Sequence, residues 1–227
     1  MSSLQRGCLL AALAGVVGAL CWLPTGVAVL YPLYPFLVFR ALREARSGRQ
    51  ALLIGLILGA SRYLFGAHFL LVLLRYSPLG AGFYLLAVLS ILPFSILWGW
   101  GPYRLERLSG VSRVLWVTPV YIVMEWLRTV GDLSFPAALV THGLGNAPAW
   151  LGWAPWLGPF GMVLPIFGSG LLLDRAWELR RRVRPALTLA GAATLLWLAP
   201  AATSLLSDSP ARPAEEGSLR VAVVQPC

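Results

Sequence analysis

What most constrains this chain is a succession of apolar runs, each close to the length of a membrane span, separated by short segments that carry arginine. A helix needs about 20 apolar residues to cross the hydrocarbon core of a bilayer. Inside that core every backbone N–H and C=O must find a partner within the protein, which favours continuous helix. Composition points the same way. The chain is 58% apolar and only 12% charged, with a mean hydropathy of +0.75; ordinary soluble domains are about 25% charged. The spacing predicts an all-α polytopic membrane bundle of about seven transmembrane helices, roughly over residues 9–23, 27–39, 51–74, 79–103, 114–128, 157–173 and 186–205.

The first two runs are short and meet at Pro24-Thr25-Gly26, which suggests a tight helical hairpin. Pro32 and Pro35 fall in the second run, where neighbouring helices would have to satisfy the carbonyls that proline frees. Gly55 and Gly59 form a GxxxG pair of the kind found at close helix crossings. The N-terminus has the basic start and apolar run of a signal peptide. Leu20 before Cys21 is wrong for cleavage, so the run is expected to stay as a helix.

Arginine placement predicts the orientation. All 18 basic residues are Arg. With the N-terminus cytoplasmic, 13 of them fall in inner segments and four, Arg75, Arg128, Arg212 and Arg220, in outer ones. Arg62 alone lies within a helix. This asymmetry accounts for the formal charge of +9 without a nucleic-acid partner. Cys8, Cys21 and Cys227 have no metal or redox spacing, and neither His68 nor His142 has a partner at ligand spacing, so no metal or cofactor is expected.

Past the last run the composition changes. Residues 1–206 form the bundle. Residues 207–218 read as a solvated linker with Asp208, Pro210, Pro213, Glu215 and Glu216. Residues 219–227 are β-branched with a proline stop and read as a strand, the first of a second, α/β domain. One strand cannot be stable alone.

The stretch 125–161 stands apart from the other runs. It places Glu125-Trp126-Leu127-Arg128 at the end of the fifth run, then Phe135-Pro136, then a long apolar segment with Trp150, Trp153 and Trp156. A carboxylate in hydrocarbon must be paired or face protein or water. Glu125 is read either as a headgroup or loop-anchoring contact or as a structural ion pair or cap. Arg128 can pair with it on the same helix face or meet a lipid phosphate. Phe135 and Pro136 are read as the start of the outer loop, with acyl-chain guidance as the alternative. The three tryptophans suit the membrane interface, and His142 a headgroup. Arg62 and Glu125 fall at matching depth in runs that point the same way, and so are expected to pair in the bundle interior.

Seven helices, an outward Glu125-Trp126-Leu127-Arg128, Phe135-Pro136, Leu144-Gly145, a loop ending in Gly161, a basic loop and the outward strand Leu219-Arg220-Val221-Ala222-Val223-Val224-Gln225-Pro226 together resemble bacterial apolipoprotein N-acyltransferase. The resemblance departs at His68-Phe69, where the family commonly has Ser-Trp, at Ala137, where Trp follows Phe-Pro, and at Val140-Thr141-His142, where Leu-Gly-Tyr is frequent. It implies the membrane part of an enzyme of lipoprotein maturation in the bacterial inner membrane, with the Trp-rich loop and the C-terminal tail periplasmic. Such an enzyme moves an acyl chain from phospholipid to the α-amino group of a diacylglyceryl lipoprotein. The family's Glu-Lys-Cys triad belongs to a nitrilase-like domain; no catalytic residue is expected in residues 1–227, which contain no lysine. The alternative is a non-catalytic scaffold or lipid-binding subunit. A transporter is disfavoured, since neither an internal repeat nor a matched pair of interrupted helices is visible.

The arginine split predicts that a cysteine introduced at residue 148 reacts with a membrane-impermeant thiol reagent on intact spheroplasts. Labelling that appears only after lysis would reverse the orientation.

Overall fold

The structure, a computed structural model, describes residues 1–22, 30–130 and 139–206. Among these residues there are eight α-helices and no strand: α1 Ser3–Leu20, α2 Leu33–Arg43, α3 Gly48–Gly66, α4 Gly80–Ser109, α5 Arg113–Leu127, α6 Ala154–Gly161, α7 Val163–Glu178 and α8 Val183–Leu206. Three 3-10 segments accompany them, at Ala67–Arg75, Val140–Asn146 and Pro148–Leu151. The expected turn at Pro24-Thr25-Gly26, the positions Phe135, Pro136 and Ala137, and the linker and strand of residues 207–227 lie outside the described residues.

The all-helical expectation holds, but the count of seven full spans does not emerge. Among the described residues four helices are long and apolar enough to cross a membrane: α1, α3 with its 3-10 extension, α4 and α8. The α6–α7 pair makes a fifth if it crosses as one unit, but it is bent by 72°. Helix α2 has 11 residues and α5 has 15, giving lengths of roughly 17 and 23 Å at 1.5 Å per residue. The reason is local. Pro32 caps α2 and Pro35 lies in its first turn, where backbone N–H groups have no intrahelical partner to lose. The two prolines therefore start the helix rather than interrupt it. Inside α6, Gly158 takes φ 65° immediately before Pro159, a left-handed conformation suited to glycine, so the single run expected over 157–173 is broken there and again at the α6–α7 bend.

The expected irregular loop is also more regular than its sequence suggests. Two 3-10 segments and α6 occupy most of residues 140–161. Trp150 lies 5.9 Å from the Trp197 ring of α8, and the indole N–H of Trp153 donates to Thr203 of α8 at 3.0 Å. Only Trp156, 71% exposed, is open to the surroundings in the way an interface anchor requires.

Small residues set the closest crossings. A Cβ on Gly15 of α1 would stand 2.7 Å from the Arg62 nitrogen and the Leu58 carbonyl of α3. A Cβ on Gly55 would stand 2.5 Å from the Ser95 carbonyl, and one on Gly59 would meet the Ser95 side chain. On α4, a Cβ on Gly99 would meet the Ala51 carbonyl and stand 2.9 Å from the Gly55 Cα. The GxxxG pair thus lies at the α3–α4 crossing, where backbones approach with no side chain between them.

The two ends of the bundle differ in chemistry. At one end the Ser3 hydroxyl donates to the Glu44 carbonyl, Arg113 donates to the Leu42 and Ala45 carbonyls, and Arg43 bridges to Asp174 at 2.6 Å and Glu178 at 2.8 Å. The arginine-bearing connections α2–α3, α4–α5 and α7–α8 therefore share a face with the N-terminus. The other end gathers the close of α1, the start of α2, the 3-10 segments and the close of α8.

The α3–α4 crossing predicts that Gly99→Ala lowers stability by roughly 1–3 kcal/mol through overpacking. Gly82→Ala, on the same helix with nothing near its Cβ position, should be neutral or slightly stabilising. Thermal unfolding in detergent compares the two, and equal effects would contradict a backbone-limited crossing.

Candidate functional site

Three charged side chains are buried in the middle of this apolar bundle: Arg62 of α3 at 0% exposure, Glu125 of α5 at 1% and Arg128, which closes α5, at 2%. The Arg128 guanidinium donates to Glu125 at 3.0 Å, one helical turn away, and to the Tyr63 hydroxyl at 2.8 Å. A cation at a helix C-terminus also complements the helix dipole. The second Glu125 oxygen accepts the Val140 backbone N–H at 3.2 Å. From the other side the Tyr31 hydroxyl donates to the Val140 carbonyl at 2.9 Å. The Val140 N–H and C=O are thus both held, and the 3-10 segment Val140–Asn146 is fastened at one residue to α5 and to Tyr31, just before α2.

Arg62 is stabilised differently. Its guanidinium donates to the Tyr34 hydroxyl at 3.0 Å and to the Tyr121 hydroxyl. Five aromatic rings surround it, with centroids at 4.5 Å for Trp22, 5.0 Å for Tyr34, 5.5 Å for Tyr63, 5.7 Å for Trp98 and 5.9 Å for Tyr121. A desolvated cation over an aromatic face gains up to about 2 kcal/mol per favourable contact. The Nε and Nη2 groups have no hydrogen-bond partner among the described residues, so the rings carry much of the stabilisation. Trp22 reaches this position because a Cβ on Gly66 would collide with its ring. The rings also pack on one another, with Trp98 on Tyr121 at 4.6 Å and Tyr121 on Phe167 at 4.3 Å.

The expected Arg62–Glu125 pair is therefore not the contact formed. Glu125 is bridged to Arg128, and Arg62 to tyrosines. Depth along two helices specifies neither rotation nor rotamer, while a partner one turn away on the same helix is always within reach. Of the other expected residues, His142 lies in the segment that Val140 fastens. Phe135 and Pro136 lie outside the described residues. His68 stands apart at the end of α3, its ring bonded to the Phe65 carbonyl at 2.6 Å. Sequence reasoning passed over Tyr31, Tyr34, Tyr63, Tyr121, Trp22 and Trp98. Their only signal was hydroxyl- and indole-bearing rings at positions where leucine would serve an ordinary core.

Beside the fastened segment lie two hollows, one on each side of α6. The first, about 460 Å³, is lined by Thr141, His142, Gly145, Leu151, Ala154, Pro159 and Met162. His142 is exposed as a residue, yet the loop crowds its ring. Desolvation lowers its pKa below the usual imidazole value, with Glu125 opposing that and Arg128 adding to it. At about pH 7 the ring is neutral, with one donor and one acceptor rather than a charge. The second hollow, about 510 Å³, is lined by Trp153, Trp156, Leu157, Leu164, Pro165 and Leu196 and is almost wholly apolar. Among the described residues no His, Cys, Asp and Glu cluster could hold a metal ion.

Two comparisons bear on this arrangement. A family model described as the apolipoprotein N-acyltransferase N-terminal domain matches residues 14–172, a span that holds Arg62, Glu125 and Arg128 and both hollows apart from Leu196. No curated protein matches the chain significantly.

The buried pair predicts that Glu125→Gln and Arg128→Leu each destabilise strongly, by up to about 3–5 kcal/mol where a charge is stranded. The double variant should lose at least about 1 kcal/mol less than the two together. The coupling of Glu125 to Arg62 should be smaller than its coupling to Arg128. Unfolding of the variants in detergent measures both couplings, and a larger Arg62 term would restore the pairing expected from depth.

Proposed function

The chain belongs to the apolipoprotein N-acyltransferase family through its N-terminal membrane domain, and from that premise we propose that it is the membrane part of such an enzyme in a bacterial inner membrane. It receives a phospholipid acyl donor from the bilayer for transfer to a diacylglyceryl lipoprotein. The observation that carries the reading is the pair of hollows flanking α6. One includes the polar side chains of Thr141 and His142 in its lining, and the other an apolar wall with Trp153, Trp156 and Leu164. A phospholipid has the same division, with a polar headgroup and apolar chains. Clefts of roughly 300–1,000 Å³ with few polar groups are typical ligand sites.

In this reading Glu125, Arg128 and Tyr31 position the segment that bears His142, and neutral His142 meets a headgroup by hydrogen bonding. The N-terminus and the arginine-rich end face the cytoplasm, while α6 and its hollows face the periplasm, in keeping with the 13-to-4 arginine split. By the family resemblance, residues 207–218 would lead into a nitrilase-like domain that starts with residues 219–227. There a cysteine thiolate would hold the acyl group as a thioester before an amine takes it, dividing one difficult transfer into two easier steps. The 227 residues contain no lysine, so they do not by themselves complete the family's triad. That favours a second reading for the chain acting alone, as a lipid-binding scaffold.

The test is a phospholipid with a photoactivatable acyl chain, applied to the purified chain in vesicles. Cross-links are expected to concentrate on residues 151–165. Gly145 has nothing within 4 Å of its Cβ position, so Gly145→Trp should fill the first hollow without disturbing the fold and reduce that labelling by about tenfold, equivalent to ~1.4 kcal/mol. Labelling spread evenly over the outer faces of the helices, or unchanged by Gly145→Trp, would refute the reading.

A further inference from the structure

At the arginine-rich end of the bundle some cations are paired, while Arg46, Arg49, Arg104 and Arg107 form no ion pair among the described residues. Arg40 and Arg43 reach Asp174, Arg43 and Arg175 reach Glu178, and Arg113 reaches Glu106. These arginines hold neighbouring connections together. The turn between α7 and α8 is different. Arg180, Arg181, Arg182 and Arg184 place four guanidinium groups within five residues, all exposed, and none forms an ion pair among the described residues. No acidic residue stands in the first turn of α8.

Trp177 stands one turn before this cluster. It is 48% exposed, and its ring packs edge-on against Phe36 at 6.2 Å. The Arg180 guanidinium lies 5.0 Å from the centre of that ring and donates to the Trp177 carbonyl at 2.9 Å. Exposed tryptophan at a helix end favours the boundary between hydrocarbon and headgroups. The turn also leads directly into α8, which is long and apolar enough to span. Both features place the four cations at the level of lipid phosphates.

We propose that the α7–α8 turn binds the headgroup of an anionic phospholipid. Clusters of four or more arginines beside a membrane helix attract anionic lipid, each basic group contributing separately. Four like charges this close repel one another, and a phosphate between them relieves that repulsion. Arg is suited to the task because its planar fork can give a phosphate two hydrogen bonds. The partner is a lipid rather than a soluble polyanion because Trp177 and α8 hold the turn at the membrane surface. This site lies at the opposite end of the bundle from the hollows beside α6, and the argument for it is independent of the acyl-donor reading.

Native mass spectrometry of the purified chain in neutral detergent, with equal amounts of phosphatidylglycerol and phosphatidylcholine, tests the assignment. The expected result is about a tenfold preference for phosphatidylglycerol. It should fall to near parity in an Arg181→Gln, Arg182→Gln double variant and persist in an Arg46→Gln, Arg49→Gln double variant. The control removes the same charge from exposed positions at the same end. If the first double variant does not fold, Arg181→Gln and Arg182→Gln are measured singly, and each should lower the preference. Absence of preference in the unaltered chain, equal loss in both double variants, or displacement of the lipid by millimolar inorganic phosphate would each overturn the assignment.

Discussion

Burial of the Arg62 guanidinium is the interaction on which the arrangement of the helices depends. A lone arginine at mid-membrane costs somewhere between about 3 and over 10 kcal/mol. No carboxylate offsets that cost directly. Rings from residues just beyond α1 and from α2, α3, α4 and α5 converge on the cation instead. Each of those segments must present one particular residue toward one point. That requirement fixes rotations about the helix axes which apolar packing alone would leave open, because lipid tails are as apolar as the helices they surround. Phe167 extends the cluster to α7 through its contacts with Tyr34 and Tyr121.

Glu125 and Arg128 serve a different element. Their salt bridge keeps both charges inside the bundle, and the free carboxylate oxygen reaches a backbone N–H outside it. Tyr31 holds the same residue, Val140, through its carbonyl. A segment with little regular hydrogen bonding of its own is thereby fixed at its first turn. Trp150 and Trp153 hold its later part against α8. The two hollows beside α6 inherit their positions from these attachments. Sites carried on loops need rigid support of this kind to hold their geometry.

The ends of the bundle show how one residue type performs two tasks. Arg43, paired with Asp174 and Glu178, joins α2 to α7, while Arg113 and Glu106 close the α4–α5 connection. Among the described residues the arginines of the α7–α8 turn have no such partner, and they are exposed. Exposed ion pairs contribute little stability one by one. The pair at Asp174 is different, because that carboxylate is fully buried, and its arginines align the ends of α2 and α7.

The sequence by itself determined the class of this protein. Span-length apolar runs and scarce charge dictate a helical membrane bundle, because hydrocarbon tolerates no unpaired backbone. The order of apolar runs, Glu125-Trp126-Leu127-Arg128, Phe135-Pro136, Leu144-Gly145, Gly161, a basic loop and the segment 219–226 together indicated the family. Sequence also marked Arg62, Glu125 and Arg128 as charges that need partners. Only the tertiary structure decided which partners. Hydropathy averages over a window, so it could not place the break at Gly158 or reveal that Pro32 begins a short helix. Depth along a helix ignores rotation about its axis, so it joined Arg62 to Glu125 across the bundle. The fold gave Glu125 to Arg128 and Val140, and enclosed Arg62 in aromatic rings drawn from five segments that no local pattern connects.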